Sequence, residues 1–451
     1  MSHILVIGGS DAGISASLRA RELDPSTDVT MVVADAYPNF SICGIPFYVS
    51  GETPDWRDLA HRTRADIEAS GLTLRLETRA IEIDTGARNA TLEPADGPQE
   101  TIAYDELVIG TGAVPIVPPI EGVDEPGVHV LHSMEDTFAL QERLEGARSA
   151  VIVGGGYIGL EMADALTKRG LSVVLLEQAP SVMTTVDEDL GGIVGEELRR
   201  HDVDVRTGAL VRQIEREDAG LLVSGSGFKA VRADVVLVVV SVRPETALAH
   251  AAGVELGLRD AIRVDRRMRT NLAHVYAAGD CVETWHRVLQ RPAYLPLGTT
   301  AHKQGRVAGA NAVGHERAFQ GSCGTQVVKV FDLAIARTGL REREASEAGM
   351  SPRSTLSEVW DHKAYYPGAT RMHLRVTGDA ASGRLLGAQI VGDHRAQVAK
   401  RVDVFAAALF HGMRVEELSD LDLSYTPPLS SPWDPVQMSA QEWTSEAPGS
   451  S

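Results

Sequence analysis

One cysteine, in SICGIPFYVSG (41–51), stands in a setting where a thiol can do redox or nucleophilic chemistry. Pro46 is placed as in the first turn of a helix, where its fixed φ and missing N–H cost nothing. This spacing predicts that Cys43 lies near the positive end of a helix dipole. There a thiol pKa falls and the thiolate becomes available at neutral pH. The alternative is a buried structural cysteine, the usual fate of a free Cys. Cys281 and Cys323 are expected to be packing residues of that kind.

Two glycine clusters supply the second kind of chemistry. GGGYIGLE (154–161) satisfies G-x-G-x-x-G at Gly154, Gly156 and Gly159. The first glycine allows a tight turn, the second lets backbone approach a pyrophosphate, and the third lets helix and strand pack closely. GGSDAG (8–13) repeats the pattern around Gly8 and Gly13, with Ser10 in the second glycine's place, small enough for the same approach. Each cluster follows a short β-branched run, opens a helical pattern and leads to a second strand that ends in an acid, Asp35 or Glu177. A carboxylate there accepts hydrogen bonds from a ribose diol and repels a 2′-phosphate, so Glu177 predicts NADH rather than NADPH. For Asp35 a solvated strand-end acid is the plain alternative.

These residues need elements to hold them. Two strand–turn–helix–strand units (3–35 and 149–177) predict two nucleotide-binding domains. The Pro-rich crossover in YDELVIGTGAVPIVPP (104–119) predicts a boundary near residue 115. EIDTGARNATLEPADG (82–97) reads as a hairpin insert and HVYAAGDC (274–281) as another buried strand. From about residue 325 the pattern alternates like antiparallel strands joined by Gly turns, followed by an amphipathic helix in 398–412. The Ser-, Glu- and Gly-rich tail 438–451 is expected to be disordered.

Composition bounds the rest. The chain has 451 residues, 43% hydrophobic and 23% charged, an ordinary globular balance. Its net charge of −19 disfavours nucleic acid and anionic membrane as partners. Three cysteines cannot make a disulfide framework and suit a reducing cytoplasm. No signal peptide is expected, and the longest apolar run, 235–240, is too short to cross a bilayer. No metal site is read.

With TGAVP (111–115), VYAAGDC (275–281) and YLPLGTTAHKQGRVAGANAVG (294–314) in the same order, the chain resembles the flavin-dependent pyridine nucleotide–disulfide oxidoreductases over residues 3 to about 437. That resemblance implies an α/β fold with two Rossmann-like domains, one for FAD (1–114 and 246–322) and one for NAD (115–245). A C-terminal α+β dimerisation domain (323–437) would follow. It implies FAD contacts at Gly8, Ser10, Asp11, Ala12, Gly13, Asp35, Ser41, Thr111, Gly112, Asp280, Leu297, Gly298 and Thr299. NADH would lie against Gly154, Gly156, Ile158, Gly159 and Glu177, with Tyr157 covering the nicotinamide pocket.

Dithiol relatives carry a second cysteine five residues on, where this chain has Tyr48. A lone cysteine before Gly-x-Pro-[FY] instead resembles the one-cysteine branch of coenzyme A-disulfide reductases, NADH oxidases and peroxidases, and NAD(P)H sulfur reductases. There Cys43 would sit against the flavin and cycle through a mixed disulfide, persulfide or sulfenate. Tyr425 and Tyr365 (or Tyr366) would reach it from the partner subunit of a homodimer; core tyrosines of an antiparallel sheet are the plain alternative. Ser15, Arg19 and Arg306 would contact a small thiol or disulfide substrate.

Some residues depart from the branch. The first glycine loop holds Asp11 where oxidases and peroxidases place a histidine, and no histidine is near it in sequence, which counts against oxygen as substrate. Glu22 and Ile42 stand where a base and a polar amide would hold coenzyme A, and Trp433 is unusual. His411 is assigned no role. The resulting expectation is an NADH-dependent flavoprotein that reduces a disulfide, persulfide or polysulfide through Cys43. The alternatives are an NADH oxidase, an electron-transfer reductase for a small redox protein, and a redox sensor.

Overall fold

The computed structural model describes residues 2–217 and 220–446. Strand β1 (His3–Ile7) runs into helix α1 (Asp11–Leu23) and returns as β2 (Asp28–Val32), parallel to β1 from His3 opposite Asp28 to Ile7 opposite Val32. Strands 106–109, 275–277 and 73–75 complete a five-stranded parallel sheet in the order 275–277, 106–109, β1, β2, 73–75. The core of β1 is buried from Ile4 to Ile7, as a strand covered on both faces must be.

The second unit repeats the first. Strand β3 (Ser149–Val153), helix α3 (Tyr157–Lys168) and strand β4 (Ser172–Glu177) sit in a sheet ordered 204–207, β4, β3, 235–238, 128–129, again parallel; helix α2 (Ile45–Ser50) precedes them in the chain. The Pro-rich segment forms strand 113–115, which pairs antiparallel with 242–244, so both crossings between the parallel sheets run side by side. The expected hairpin insert forms strands 78–84 and 89–94.

Helix α4 (Gly298–Ala312) lies along α1. The last third is a five-stranded antiparallel sheet in the order 326–330, 333–339, 385–393, 371–379, 352–360, with helix α5 (Val398–His411) packed on it. One strand departs from the expected alternation: Leu385 to Gly392 are buried without a break. Its two faces meet different neighbours. Ile390 packs among α5 residues such as Phe405, whereas Val391 joins the core of the second parallel unit.

The tail corrects a sequence expectation. Helix α6 (Pro435–Ser445) occupies the first part of the stretch expected to be disordered; residues 447–451 lie outside the described chain. Composition hid a periodic apolar face. Val436, Ala440 and Trp443 follow helical spacing and are buried, and the Trp443 indole N–H donates to the Arg353 carbonyl at 2.8 Å. No described helix is long and apolar enough to cross a membrane.

Candidate active site

The two glycine turns superpose in their details. Gly8 and Gly154 both have φ +113°, a conformation side chains resist, and each donates its N–H across the sheet, to Val32 and Leu176, at 2.9 Å. A Cβ on Gly13 or Gly159 would meet the carbonyl oxygen of Gly8 or Gly154 at 1.9 Å. Ser10, the odd residue of the first loop, has φ −88° and ψ −165°, against −82° and −170° for Gly156. Any residue adopts that backbone, so the serine costs no strain. A Cβ on Gly156 would meet nothing within 4 Å, which leaves backbone open to an incoming pyrophosphate.

The strand-end acids differ. Glu177 accepts the N–H of Gly155 at 2.6 Å and of Ala179 at 2.7 Å, so its carboxylate is clamped to the second glycine loop. Asp35 lies beyond the end of β2, accepts the Tyr37 N–H at 2.8 Å, and is pushed up in pKa by burial. The remaining polar groups of the first unit converge on one end of its sheet. Gly112 turns with φ +72°, and Thr111 donates to the Glu245 carbonyl. Ala12 packs under Gly279, and Leu297 caps α4 just before Gly298 and Thr299. Asp280 is pushed up to about 6 by burial and by the Asp11 carboxylate, offset in part by the Leu297 N–H. The strand-end carboxylates and the glycine cradles together fit a dinucleotide.

Cys43 sits in a single helical turn, Ile42–Gly44, that Ser41 opens and α2 continues, with Pro46 in its first turn as expected. Cys43 is exposed, while Cys281 and Cys323 are buried. The expected dipole effect is corrected. Helix α2 has only six residues, and the thiol, open on one side but with protein packed closely around the rest of it, is pushed up rather than down: by that loss of water first, then by the carboxylates of Glu161, Asp11 and Asp280.

Two groups, one beside each glycine loop, escaped the sequence reading. Glu161 lies one turn beyond Tyr157 on α3 and is pushed up to about 7 by burial and by Asp164. Helical periodicity was the available signal, since positions 157 and 161 share a face. Tyr157 itself is bonded to Gln326 and accepts from Thr185, at 3.2 Å in the latter case. The second group is His302 of α4, whose Nε2 is 3.2 Å from Asp11. The expectation that no histidine serves the first glycine loop is therefore corrected: one arrives from 291 positions away, which no local motif signals.

Beside this end runs a cleft of about 470 Å³ lined by Arg19, Lys303, Arg306, Arg317, Phe319 and Cys323 among others. Glu22 pairs with Arg19 at 2.8 Å and with Arg306 at 3.5 Å, so it tempers rather than abolishes the positive lining. Ser15 does not line the cleft; its hydroxyl lies 2.8 Å from Nδ1 of His302. Tyr425 and Tyr365 are 43% and 73% exposed, and Trp360, Leu429 and Trp433 of the neighbouring segments are exposed with them. Among the described residues no hydrogen bond or ring contact joins either tyrosine to Cys43 in one chain. Their loops are held together from beneath. Buried Arg401 pairs with Asp434 at 3.0 Å and donates to the carbonyls of Asp361 (2.7 Å) and Leu429 (3.4 Å).

Comparison with known proteins agrees with this arrangement. The family described as pyridine nucleotide-disulphide oxidoreductase matches residues 2–305, and its dimerisation domain matches residues 325–435. A protein of Pyrococcus abyssi named NAD(P)H sulfur oxidoreductase (CoA-dependent) is 36% identical over 97% of both chains. A Methanocaldococcus jannaschii protein named NADH oxidase is 31% identical over 97% of this chain and 98% of its own. The solved NAD-dependent persulfide reductase from A. fulgidus is 37% identical, with a TM-score of 0.95 over 98% of this chain and 83% of that one. A match of this extent, spanning both glycine turns and the C-terminal sheet, makes the chain a member of the pyridine nucleotide-disulphide oxidoreductase family.

Proposed function

We propose that the chain is an NADH-dependent flavoprotein that reduces a sulfur–sulfur bond, in a disulfide, persulfide or polysulfide, with Cys43 as its redox sulfur. The observation that carries this reading is the contrast among the cysteines. Only Cys43 is exposed, and it lies at the end of the first parallel sheet beside Asp11, Asp280 and Glu161.

FAD, when bound, supplies the two electrons of NADH that return the sulfur to its thiolate. The first glycine loop (Gly8, Ser10, Asp11, Ala12, Gly13) would hold its pyrophosphate and Asp35 its adenosine ribose. Ser41, Thr111, Gly112, Asp280 and Leu297 to Thr299 would line the rest. Gly154, Gly156, Ile158, Gly159 and Glu177 would hold NADH, and Tyr157 would shield the nicotinamide position. The clamped Glu177 favours NADH, since a 2′-phosphate would face a carboxylate already fixed in place.

The Cys43 thiolate attacks one sulfur of the substrate, forming a mixed disulfide and releasing the other sulfur as a thiolate. Tyr425 of the partner subunit, with Tyr365 beside it, protonates that leaving group. Arg19 and Arg306 hold an anionic portion of the substrate, which suits a coenzyme A-like thiol. Ser15 serves through His302. The domain limits, 1–114 with 246–322 for FAD, 115–245 for NAD and 323–437 for dimerisation, are supported by the way each five-stranded sheet stays within one of them, while the limit at 115 falls in the crossing strand 113–115.

Cys43→Ser tests the reading directly. Disulfide-dependent NADH oxidation should fall by at least about a hundredfold while FAD content is retained; full turnover in the variant would remove Cys43 from the mechanism. A second reading, NADH oxidase, gains ground from the relative of that name and from His302 beside Asp11. Oxygen uptake with NADH alone, compared with uptake after disulfide addition, separates the two.

A further inference from the structure

Asp11 opens α1, and its carboxylate is bracketed from α4. His302 places Nε2 3.2 Å from Asp11 Oδ1 and Nδ1 2.8 Å from the Ser15 hydroxyl. Positions 11 and 15 lie one turn apart on α1, so a single imidazole spans both. Backbone sets this register. A Cβ on Gly305 would meet the Ala12 carbonyl oxygen at 2.2 Å, and one on Gly309 would meet that of Ala16 at 2.1 Å. The helices therefore touch at glycine distance, and α4 cannot slide by a residue without a clash.

The same loop is tied to the cysteine segment, because Asn39 donates its N–H to the Gly9 carbonyl at 3.0 Å, two residues before Ser41. The charged groups around the pair come from four places. Asp11, Arg19 and Glu22 lie on α1, and Lys303 and Arg306 on α4. Asp280 follows strand 275–277, and Glu161 faces Cys43 from α3. Arg19 and Arg306 pair with Glu22, and Lys303 donates to the Thr299 carbonyl at 3.0 Å. Among the described residues this leaves His302 as the basic side chain in contact with Asp11.

We propose that His302 is a positioning residue of the sulfur site: as imidazolium it neutralises Asp11 and thereby favours the Cys43 thiolate. This rests on Cys43 being the redox sulfur. Asp11 is one of the carboxylates that oppose ionisation of Cys43, so pairing it lifts one of those penalties. The proton leaving Cys43 goes to solvent while His302 keeps its own. Only the protonated ring carries that charge, so the help belongs to the acid side of the pH range; with the ring neutral, Asp11 opposes the thiolate uncompensated. Ser15 holds the ring over Asp11 in both forms.

The experiment is the pH dependence of Cys43 alkylation by iodoacetamide in the FAD-loaded protein, followed on the Cys43 peptide by mass spectrometry. His302→Gln should slow alkylation at pH 6 by about three- to tenfold and converge on wild type above pH 8. His302→Lys, whose charge persists, should match wild type at pH 6 and exceed it at pH 8. Adding Asp11→Asn to His302→Gln should restore the rate. A His302→Gln profile that superimposes on wild type overturns the proposal. So does a deficit equal at every pH, or one that Asp11→Asn leaves in place, since either marks a purely structural role. Alkylation needs no turnover, so Cys43→Ser protein that still reduces disulfides would remove the functional reading while the alkylation profiles stand by themselves.

Discussion

Around Cys43 the chain gathers carboxylates where a thiolate would prefer cations. The surrounding protein and three acids raise the cost of a thiolate there, and one of those acids, Glu161, is itself held protonated up to about 7 by burial and by Asp164. That shift has a stability consequence whose sign can be fixed. The carboxyl titrates near 4.5 when unfolded and about 7 when folded, so between these values the unfolded chain binds fewer protons. Stability is therefore full below pH 4.5 and is lost as pH rises towards 7, by on the order of 3 kcal/mol at most. Glu161→Gln keeps the shape without the charge. Its melting temperature should match wild type near pH 4.5 and exceed it by several degrees at pH 8. Parallel melting curves for the two proteins across that range would refute the shift. The sequence could name Cys43, Glu177 and both glycine loops because each is a local pattern with a local reason. It could not name the acid surrounding of the thiol, because Glu161 and Asp280 come from other elements.

Among the elements, the parallel units were legible because their strand–glycine–helix order is short-range. Gly8 and Gly154 share one φ because each must pass its own strand's neighbour at backbone distance. The crossing of α1 on α4 was not legible: Gly305 and Gly309 announce a close approach but not to what. The tail was misread for a related reason, since the Ser, Glu and Gly of 438–451 outweigh Met438, Ala440 and Trp443 when only composition is read, although one of those serines, Ser439, is itself buried. Trp443 is 5% exposed, lies over Arg353 with its guanidinium carbon 3.8 Å from the ring centroid, and packs on Gly378. Trp443→Ala should cost about 3–5 kcal/mol, as for other buried aromatics, read as a lower denaturant midpoint with FAD still bound in the native state. An unchanged midpoint would show that α6 contributes nothing and that the tail is dispensable.

On the scale of the whole molecule, the exposed aromatic residues are what a single chain leaves without a physical reason. Tyr365, Leu429 and Trp433 are each more than half exposed, while buried Arg401 uses its donors to hold the loops that carry them. A lone protomer has no need to fix such loops so firmly; a two-fold dimer in which each chain's loops reached the other's Cys43 across an isologous interface would have one. This makes a prediction that mixing distinguishes from every single-chain scheme. In a hybrid of a Cys43→Ser protomer and a Tyr425→Phe protomer, shared sites sort unequally. One site collects both substitutions and is dead, whereas the other combines the native Cys43 of one chain with the native Tyr425 of its partner and is whole. Hybrids isolated through two different tags should then show about half the wild-type turnover, above either parental homodimer, since one intact site of two remains. If each chain supplied its own tyrosine, the hybrid would hold one site without its thiol and one without its phenol. Its activity would then fall midway between the two parents, and no intact site would be regained.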